Sequence, residues 1–330
     1  VTTDDAVVLG TNSFVQGFNS IAIGHGATVK SDKPNISNNS IAFGANAQVK
    51  GGFSTALGAE ADAGDGSGML AVGDNASTNN KDVKNVGSAT FSQDNNQSVA
   101  LGSRALAWGD QAIALGNDVK ASGNSSVAIG GDDINKIRSA HGDLYKDITG
   151  QALPGTQPPG TTTPLPNSEV YISTEASGAG ATAIGVMTTA SGHFASALGM
   201  TADASGNGAV AIGPTAKSSG EAGVAIGIAS QASAKKTTAV GSVAKATGEN
   251  ATAIGGWANA ANYNATAIGS EAQAIANYAQ AMGYQSKASG IASNAIGWNA
   301  NATAQNATAI GSGAKAYSRS GIAMGTNAEA

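Results

Sequence analysis

A glycine recurs every fourteen residues through the second half of this chain without a miss. Each of these anchor glycines follows an alanine and one medium-sized apolar residue, as in Ala253-Ile254-Gly255. A fixed short period means that a unit buries its apolar face only by stacking on its neighbours, so the sequence predicts a solenoid. The anchors, which we expect to be structural turn glycines, are Gly185, Gly199, Gly213, Gly227, Gly241, Gly255, Gly269, Gly283, Gly297, Gly311 and Gly325.

The same anchor marks the first half of the chain at less regular spacing. It occurs at Gly10, Gly24, Gly44, Gly58, Gly73, Gly102, Gly116 and Gly130. A degraded copy at Val86-Gly87 fills the longest gap of this series. The irregular spacings indicate insertions between coils. We therefore predict one elongated all-β domain over residues 1–330, built from about twenty 14-residue coils.

One repeat shows how the residues divide between the two sides of a coil. Ala251 to Ile254 and Trp257 to Ala260 alternate with a period of two, which is typical of short strands. The alternation places Thr252 and Ile254 on one face and Ala253 on the other. Fourteen residues at about 3.3 Å each give a perimeter of about 45 Å, enough for two short strands and two tight turns. The predicted coil is therefore flat.

Two further columns of the repeat have a clear character. The residue before each anchor forms an apolar column, and the anchor glycine after it is expected to turn the chain with a backbone conformation that a Cβ would disfavour. The residue four after the anchor is mostly polar and is expected to face solvent. This outward column includes Gln48, Asp62, Lys120, Lys217, Lys245, Gln273, Lys287 and Lys315.

Composition limits both the core and the partners. Aromatic residues are 5% and charged residues 12% of the chain, against 46 glycines. Few large side chains are available for a thick core, so we expect further apolar surface to be buried by oligomerisation. The net charge of −5 and the lack of a basic stripe argue against nucleic-acid binding. The chain has no cysteine and no apolar run of membrane-helix length, so any membrane anchor is expected outside this segment.

The repeated motif resembles the head repeats of trimeric autotransporter adhesins such as the Yersinia adhesin YadA. It is seen in Ser126-Val-Ala-Ile-Gly130 and Asn306-Ala-Thr-Ala-Ile-Gly311, which are two of about twenty copies in phase along the chain. The insertion-bearing pattern is most similar to the heads of Moraxella ubiquitous surface proteins. The resemblance implies a left-handed parallel β-roll, a homotrimer, and display on a Gram-negative outer membrane through a coiled-coil stalk and a β-barrel anchor, neither of which lies in these residues.

The longest break in the repeat is a Pro-rich insertion at residues 131–176. Its first part, Asp132 to Asp147, is charged and has apolar residues at spacings that a short helix uses. Its second part, Gln151 to Pro166, contains five prolines and is expected to be extended, and Val170 to Ile172 is expected to re-enter the sheet. Long excursions from a rigid scaffold often bind partners, although an insertion is also tolerated without any role. The predicted ligand-binding residues are Lys136, Arg138, Tyr145 and Lys146.

The remaining residue types give little indication of catalytic or metal-binding chemistry. His25, His141 and His193 lie at unrelated phases of the repeat, so they predict surface residues and no metal site. The sequence offers no Ser-His-Asp order, phosphate-binding loop or paired carboxylates, and we expect neither catalysis nor a cofactor. The aromatic residues that interrupt the small columns favour packing between subunits over ligand binding. They are Trp108, Trp257, Trp298, Tyr263, Tyr278 and Tyr284.

The sequence thus favours a non-enzymatic surface adhesin that binds host extracellular-matrix or cell-surface protein by multivalent contact. The resemblance implies the fibronectin, laminin or collagen class. Three alternatives stay open: an ice- or surface-binding solenoid, a purely structural spacer of a surface fibre, and a polysaccharide-cleaving β-helix. The ice-binding alternative is weakened because Gln280 and Asn294 interrupt the column that holds Thr252 and Thr266, and the third because so short a coil leaves little room for a cleft.

Overall fold

A computed structural model describes residues 5–30, 38–78, 97–132, 134–153 and 173–330. The chain divides into two compact units. The first comprises Val1–Asp133 with Asn167–Ala190, and the second comprises Ile134–Pro166 with Ser191–Ala330. Each is a parallel β-solenoid, and the described residues contain one α-helix, α1, at Asn135–Thr149 in the second unit. The predicted repeat fold is confirmed, whereas the assignment of one domain to residues 1–330 stays a prediction.

Each regular coil of the first unit contributes a first strand, beside the anchor glycine, and a second strand after the turn. The first strands are Val7–Leu9, Ile21–Ile23, Ile41–Phe43, Thr55–Leu57, Leu70–Val72, Val99–Leu101, Ile113–Gly116, Val127–Gly131 and Thr182–Val186. The second strands are Phe14–Val15, Thr28–Val29, Gln48–Val49, Asp62–Ala63, Leu106–Ala107, Lys120–Ala121, Glu175–Ala176 and Thr189–Ala190.

The second unit repeats this plan with no irregular spacing. Its first strands are Ser196–Leu198, Val210–Ile212, Val224–Ile226, Thr238–Val240, Thr252–Ile254, Thr266–Ile268, Gln280–Met282, Asn294–Ile296, Thr308–Ile310 and Ile322–Met324. Its second strands are Asp203–Ala204, Lys217–Ser218, Gln231–Ala232, Lys245–Ala246, Asn259–Ala260, Gln273–Ala274, Lys287–Ala288, Asn301–Ala302 and Lys315–Ala316. With the first unit, this makes about nineteen coils.

Equivalent residues of successive coils pair in register. Thr252 pairs with Thr266 and Ile254 with Ile268 in the first-strand sheet, and Asn259 pairs with Gln273 in the second. The strands are shorter than the alternating runs of the sequence. Trp257 in particular lies in a turn and not in a strand, because the second strand of its coil begins only at Asn259.

The interior of a coil is lined by alanine. In the coil around Gly255, the side chains of Ala251, Ala253, Ala258 and Ala260 are fully buried between the two sheets. The predicted division of faces is therefore confirmed, since Ile254 on the opposite face is 40% exposed. Methyl groups fill the interior of this coil, whereas some coils of the first unit have a buried valine there, as at Val29.

The anchor glycines meet two separate requirements. Gly255 has a φ of +129°, a region that residues with a Cβ rarely adopt. A Cβ built at this position would also lie 2.5 Å from the backbone oxygen of Gly269 in the next coil. These two requirements are consistent with the turn role predicted for the glycine, and there is no space for a side chain between stacked anchors.

Residues other than glycine occupy left-handed positions in both turns of a coil. Trp257, two after its anchor, has a φ of +60°, and Tyr278, nine after its anchor, has the same value. Their backbone N–H groups donate hydrogen bonds to the preceding coil, from Trp257 to the oxygen of Ser242 and from Tyr278 to that of Tyr263. The hydrogen-bond ladder thus continues through the turns and holds conformations that these residue types disfavour alone.

The insertion leaves the roll in the first turn after Gly130. Val127–Gly131 pairs directly with Thr182–Val186, so the coils on either side stack without it. Glu175–Ala176 pairs with Lys120–Ala121 and supplies the second strand of the interrupted coil. The sheet therefore resumes before residue 176, which shortens the predicted insertion. The Pro-rich segment from Pro154 to Pro166, the strand expected at 170–172 and the degraded repeat at Val86-Gly87 lie outside the described residues.

We expect Gly255→Val to damage folding far more than Asn259→Val. The first substitution forces a β-branched residue into a positive φ and drives its Cβ against backbone, at a cost of about 3 kcal/mol or more. Asn259 lies on the outward column, where a change should stay within about 0.5 kcal/mol. Thermal unfolding of both variants by circular dichroism measures the difference, and equal melting temperatures would contradict this role for the glycine.

Candidate functional site

The helix predicted in the insertion is present and ends at a defined cap. It runs from Asn135 to Thr149, after which Gly150 adopts a φ of +69° and donates its N–H to the oxygen of Lys146. This is a left-handed glycine cap, and the charge of Lys146 in the last turn is favourable beside the free carbonyl groups. The Thr149 hydroxyl donates to the oxygen of Tyr145, one turn earlier.

One side of α1 packs on its own chain. Tyr145 is 7% exposed, and its hydroxyl shares a hydrogen bond with that of Thr215, in the first turn of a coil of the second unit. Because the Thr215 hydroxyl donates to the oxygen of Pro214, it accepts from the tyrosine. Near the end of the helix, a Cβ on Gly150 would lie 3.3 Å from the ring of Trp257. The helix therefore lies along the first-turn edge of the coils.

The four predicted binding residues do not form one patch. Lys136 and Lys146 are exposed, Arg138 is half-buried, and Tyr145 is buried against the roll. At 100° per residue, Lys136 and Arg138 point about 160° apart around the helix. The sequence does not show the burial of Tyr145, because it does not show which side of a helix meets a partner seventy residues away.

Acidic residues share the outer side of α1 with its lysines. Asp143 and Asp147 are exposed and lie seven and eleven residues after Lys136, so all three follow one face of the helix. The outer face is thus of mixed charge and not basic. The spacing of these residues could have revealed it from the sequence.

The apolar column lies on the outer face of the first-strand sheet. In the second unit its exposed members are Leu198, Ile212, Ile226, Ile254, Ile268, Ile296 and Met324, each with more than a third of its surface open to solvent. Stacking in register places one such side chain every 4.8 Å or so along the sheet. A row of exposed apolar side chains of this kind marks a candidate interaction surface.

The outward column is mostly solvated, as predicted, and several of its lysines are paired. The Lys217 Nζ atom lies 3.5 Å from Oδ2 of Asp203 in the neighbouring coil, and the Lys120 Nζ atom lies 3.4 Å from Oε1 of Glu175. Lys287 and Lys315 are exposed. Asp62 departs from the prediction because only 8% of its surface is exposed. It lies between Gln48 of the coil before and Ser77 of the coil after, with which it pairs.

Most of the interrupting aromatic residues are exposed on the turns. Tyr263 and Tyr278 of adjacent coils meet edge to face, with ring centroids 5.5 Å apart. Trp257, Tyr284 and Trp298 are also between 44% and 57% exposed. Trp108 differs, because it is half-buried with the Lys120 ammonium 5.3 Å from its ring centroid. The proposed role of the other rings in subunit packing stays a prediction.

A charged cluster lies where the insertion departs from the first unit. The Arg104 guanidinium donates to both carboxylate oxygens of Asp118, one coil further on. Asp132 lies beside this pair, and its pKa is raised above the ordinary value first by burial and then by the Asp118 charge. The three histidines are exposed, and no group of ligating side chains in the described ranges could hold a metal ion.

We expect Asp132→Asn to raise stability at neutral pH. A raised pKa means that the folded chain binds this proton more tightly than the unfolded chain does, so the ionised carboxylate lowers the stability of the fold. That cost is present above the raised pKa and disappears as the pH falls below 3.8, the ordinary value. At pH 7 the free energy of unfolding of the variant should therefore exceed that of the parent chain by less than about 1 kcal/mol. Melting temperatures measured across the pH range report this difference. The difference should vanish near pH 3. The exposed Asp143→Asn serves as control, and a difference that persists at low pH would contradict the assignment.

Comparison with known protein families identifies the family to which the repeat belongs. The model described as YadA head domain repeat matches residues 4–27, 16–32, 37–61, 95–118, 176–202, 204–227, 218–244, 246–272, 274–300 and 302–328. These segments cover well over half of the chain in both units. No curated protein matches the sequence. Among the described residues, no helix has the length and apolar character that crossing a membrane requires. The chain therefore belongs to the family of YadA head repeats, the head domains of trimeric autotransporter adhesins.

Proposed function

We propose that this chain is the non-enzymatic head of a homotrimeric adhesin on a bacterial surface, where it binds host matrix or cell-surface protein through many modest contacts. Membership of the YadA head family supports the adhesin role. The observation that carries the proposal is the apolar column exposed along the first-strand sheet. A flat, repeated surface of this kind suits assembly and extended contact. In the family, a stalk and membrane anchor outside these residues would complete the fibre.

The trimer follows from where the large side chains lie. Alanine lines the interior of the coils around Gly255 and Gly269, and Ile254 and Ile268 stay 40% and 38% exposed among the described residues. Burying these side chains between chains contributes hydrophobic free energy that a single roll does not obtain. In a closed ring, every copy of the chain buries the same surface. Three identical chains around one axis are the arrangement that the family favours.

Light scattering of the purified segment should give three times the chain mass of 32.0 kDa. Ile254→Asp combined with Ile268→Asp places charges on the sheet face and should shift the population to monomer. Lys287→Asp combined with Lys315→Asp, on the outward column, is the matched control and should leave the trimer intact. A folded monomer of the parent chain at micromolar concentration would contradict the proposal.

We place the host contact on the outer face of α1. Its exposed charges lie outside the repeated surface of the coils, and a trimer carries three copies of them. Three modest contacts on one rigid head raise the apparent affinity by orders of magnitude without a deep pocket. The ligand class that the family indicates is fibronectin, laminin or collagen.

Binding of the trimer to immobilised fibronectin, laminin and collagen tests the ligand and its site together. Lys136→Glu combined with Lys146→Glu should weaken binding to the recognised protein about tenfold or more, because both side chains are exposed on α1. Lys287→Glu combined with Lys315→Glu makes the same charge change on the outward column and should have little effect. The reverse result would move the contact to the coils. If the parent trimer bound none of the three proteins, the result would favour a purely structural spacer role in a surface fibre.

An ice- or surface-binding role is the weaker alternative. Thr252 and Thr266 stack in register, but Gln280 and Asn294 continue the same column. The column therefore lacks the regular threonine array that lattice matching requires. Thermal hysteresis of the purified segment would be the sign of such a role.

A further inference from the structure

Helix α1 has a second apolar face that the described residues of its own chain leave partly open to solvent. Ile137, Leu144 and Ile148 are 41%, 57% and 43% exposed. They lie at positions i, i+7 and i+11, so they fall within about 40° of one another around the helix. We call these three residues the lateral stripe.

The lateral stripe is distinct from the side by which α1 packs on the coils. The buried residues Ile134, Tyr145 and Thr149 centre about a quarter turn away from it. Charged residues such as Lys136 and Asp143 occupy the outer side of the helix. A helix that packs on one surface normally carries a single apolar stripe, whereas α1 carries two adjacent ones. Its own roll covers only the first.

We propose that the lateral stripe is covered by a second copy of this chain, so that α1 packs between two subunits. The argument rests on the trimer proposed above and on the continuity of its apolar surface. Tyr145 fixes α1 at Thr215, three residues after Ile212 of the apolar column. Trp257, beside the end of the helix, stands three residues after Ile254 in the same way. The same coils therefore carry the exposed column and, at its edge, the helix.

The length of the stripe also fits a stacked coil surface. From Ile137 to Ile148, α1 rises about 16 Å. Three to four coils at about 4.8 Å span the same distance. The uncharged stripe can thus lie along successive coils of a neighbouring roll while the charged outer side stays in water. Three copies of the contact would form in one closed trimer.

The chain has no cysteine, so a single introduced thiol reports on one position alone. We would compare maleimide labelling of Leu144→Cys with that of Asp143→Cys, the adjacent exposed position on the outer side, in particles of measured mass. In a trimer, the Leu144→Cys thiol should react at least tenfold more slowly than the control, and the two rates should become equal in denaturant. Equal rates in a particle of trimer mass would overturn this proposal and leave the trimer standing.

A cross-link identifies what covers the stripe. Benzophenone maleimide attached to Ile148→Cys, irradiated in the native particle, should give bands of two and three chains on a denaturing gel. A band of one chain alone, from a particle of trimer mass, would mean that the chain covers its own stripe and would overturn the proposal. A folded monomer would overturn this proposal and the trimer together, so the two failures are distinguished by mass.

Discussion

The close stacking of coils at their anchor glycines governs the rest of this structure. Backbone of one coil occupies the space that a side chain on the anchor of the preceding coil would need, so no residue with a Cβ fits at that point. The interior between the two sheets then accepts alanine, as at Ala253 and Ala260. In the coil around Gly255 the larger apolar residue, Ile254, lies on the outside. The same tight stacking that gives one chain its order thus leaves apolar side chains exposed on its surface.

Helix α1 adds to the roll a feature that the repeat cannot produce. A fourteen-residue coil presents the same columns at every level, whereas the helix presents three different sides. One contains Tyr145 and is fixed to Thr215, one carries mixed charge, and one is apolar and open. A single fifteen-residue element therefore offers attachment, contact with solvent or a ligand, and contact with a further chain.

The repeat, the division of strand faces and the presence of α1 were predictable from the sequence because each depends on local periodicity. The burial of Tyr145 was not, since its partner lies seventy residues away and periodicity does not say which helix side faces the roll. The strand assigned to Trp257 failed for a related reason. Residue preferences disfavour a left-handed tryptophan, but hydrogen bonds between coils impose that conformation on whatever residue stands there.

Those left-handed turn positions have a consequence for how the surface can vary. Their backbone is held by the coil before, and in the four coils from Gly255 to Gly297 the side chain is exposed at each level, at Trp257, Glu271, Gln285 and Asn299 in turn. An aromatic ring, an acid and two amides thus follow one another on an unchanged scaffold. Substitution at these sites can alter what an antibody recognises while the architecture beneath it is preserved.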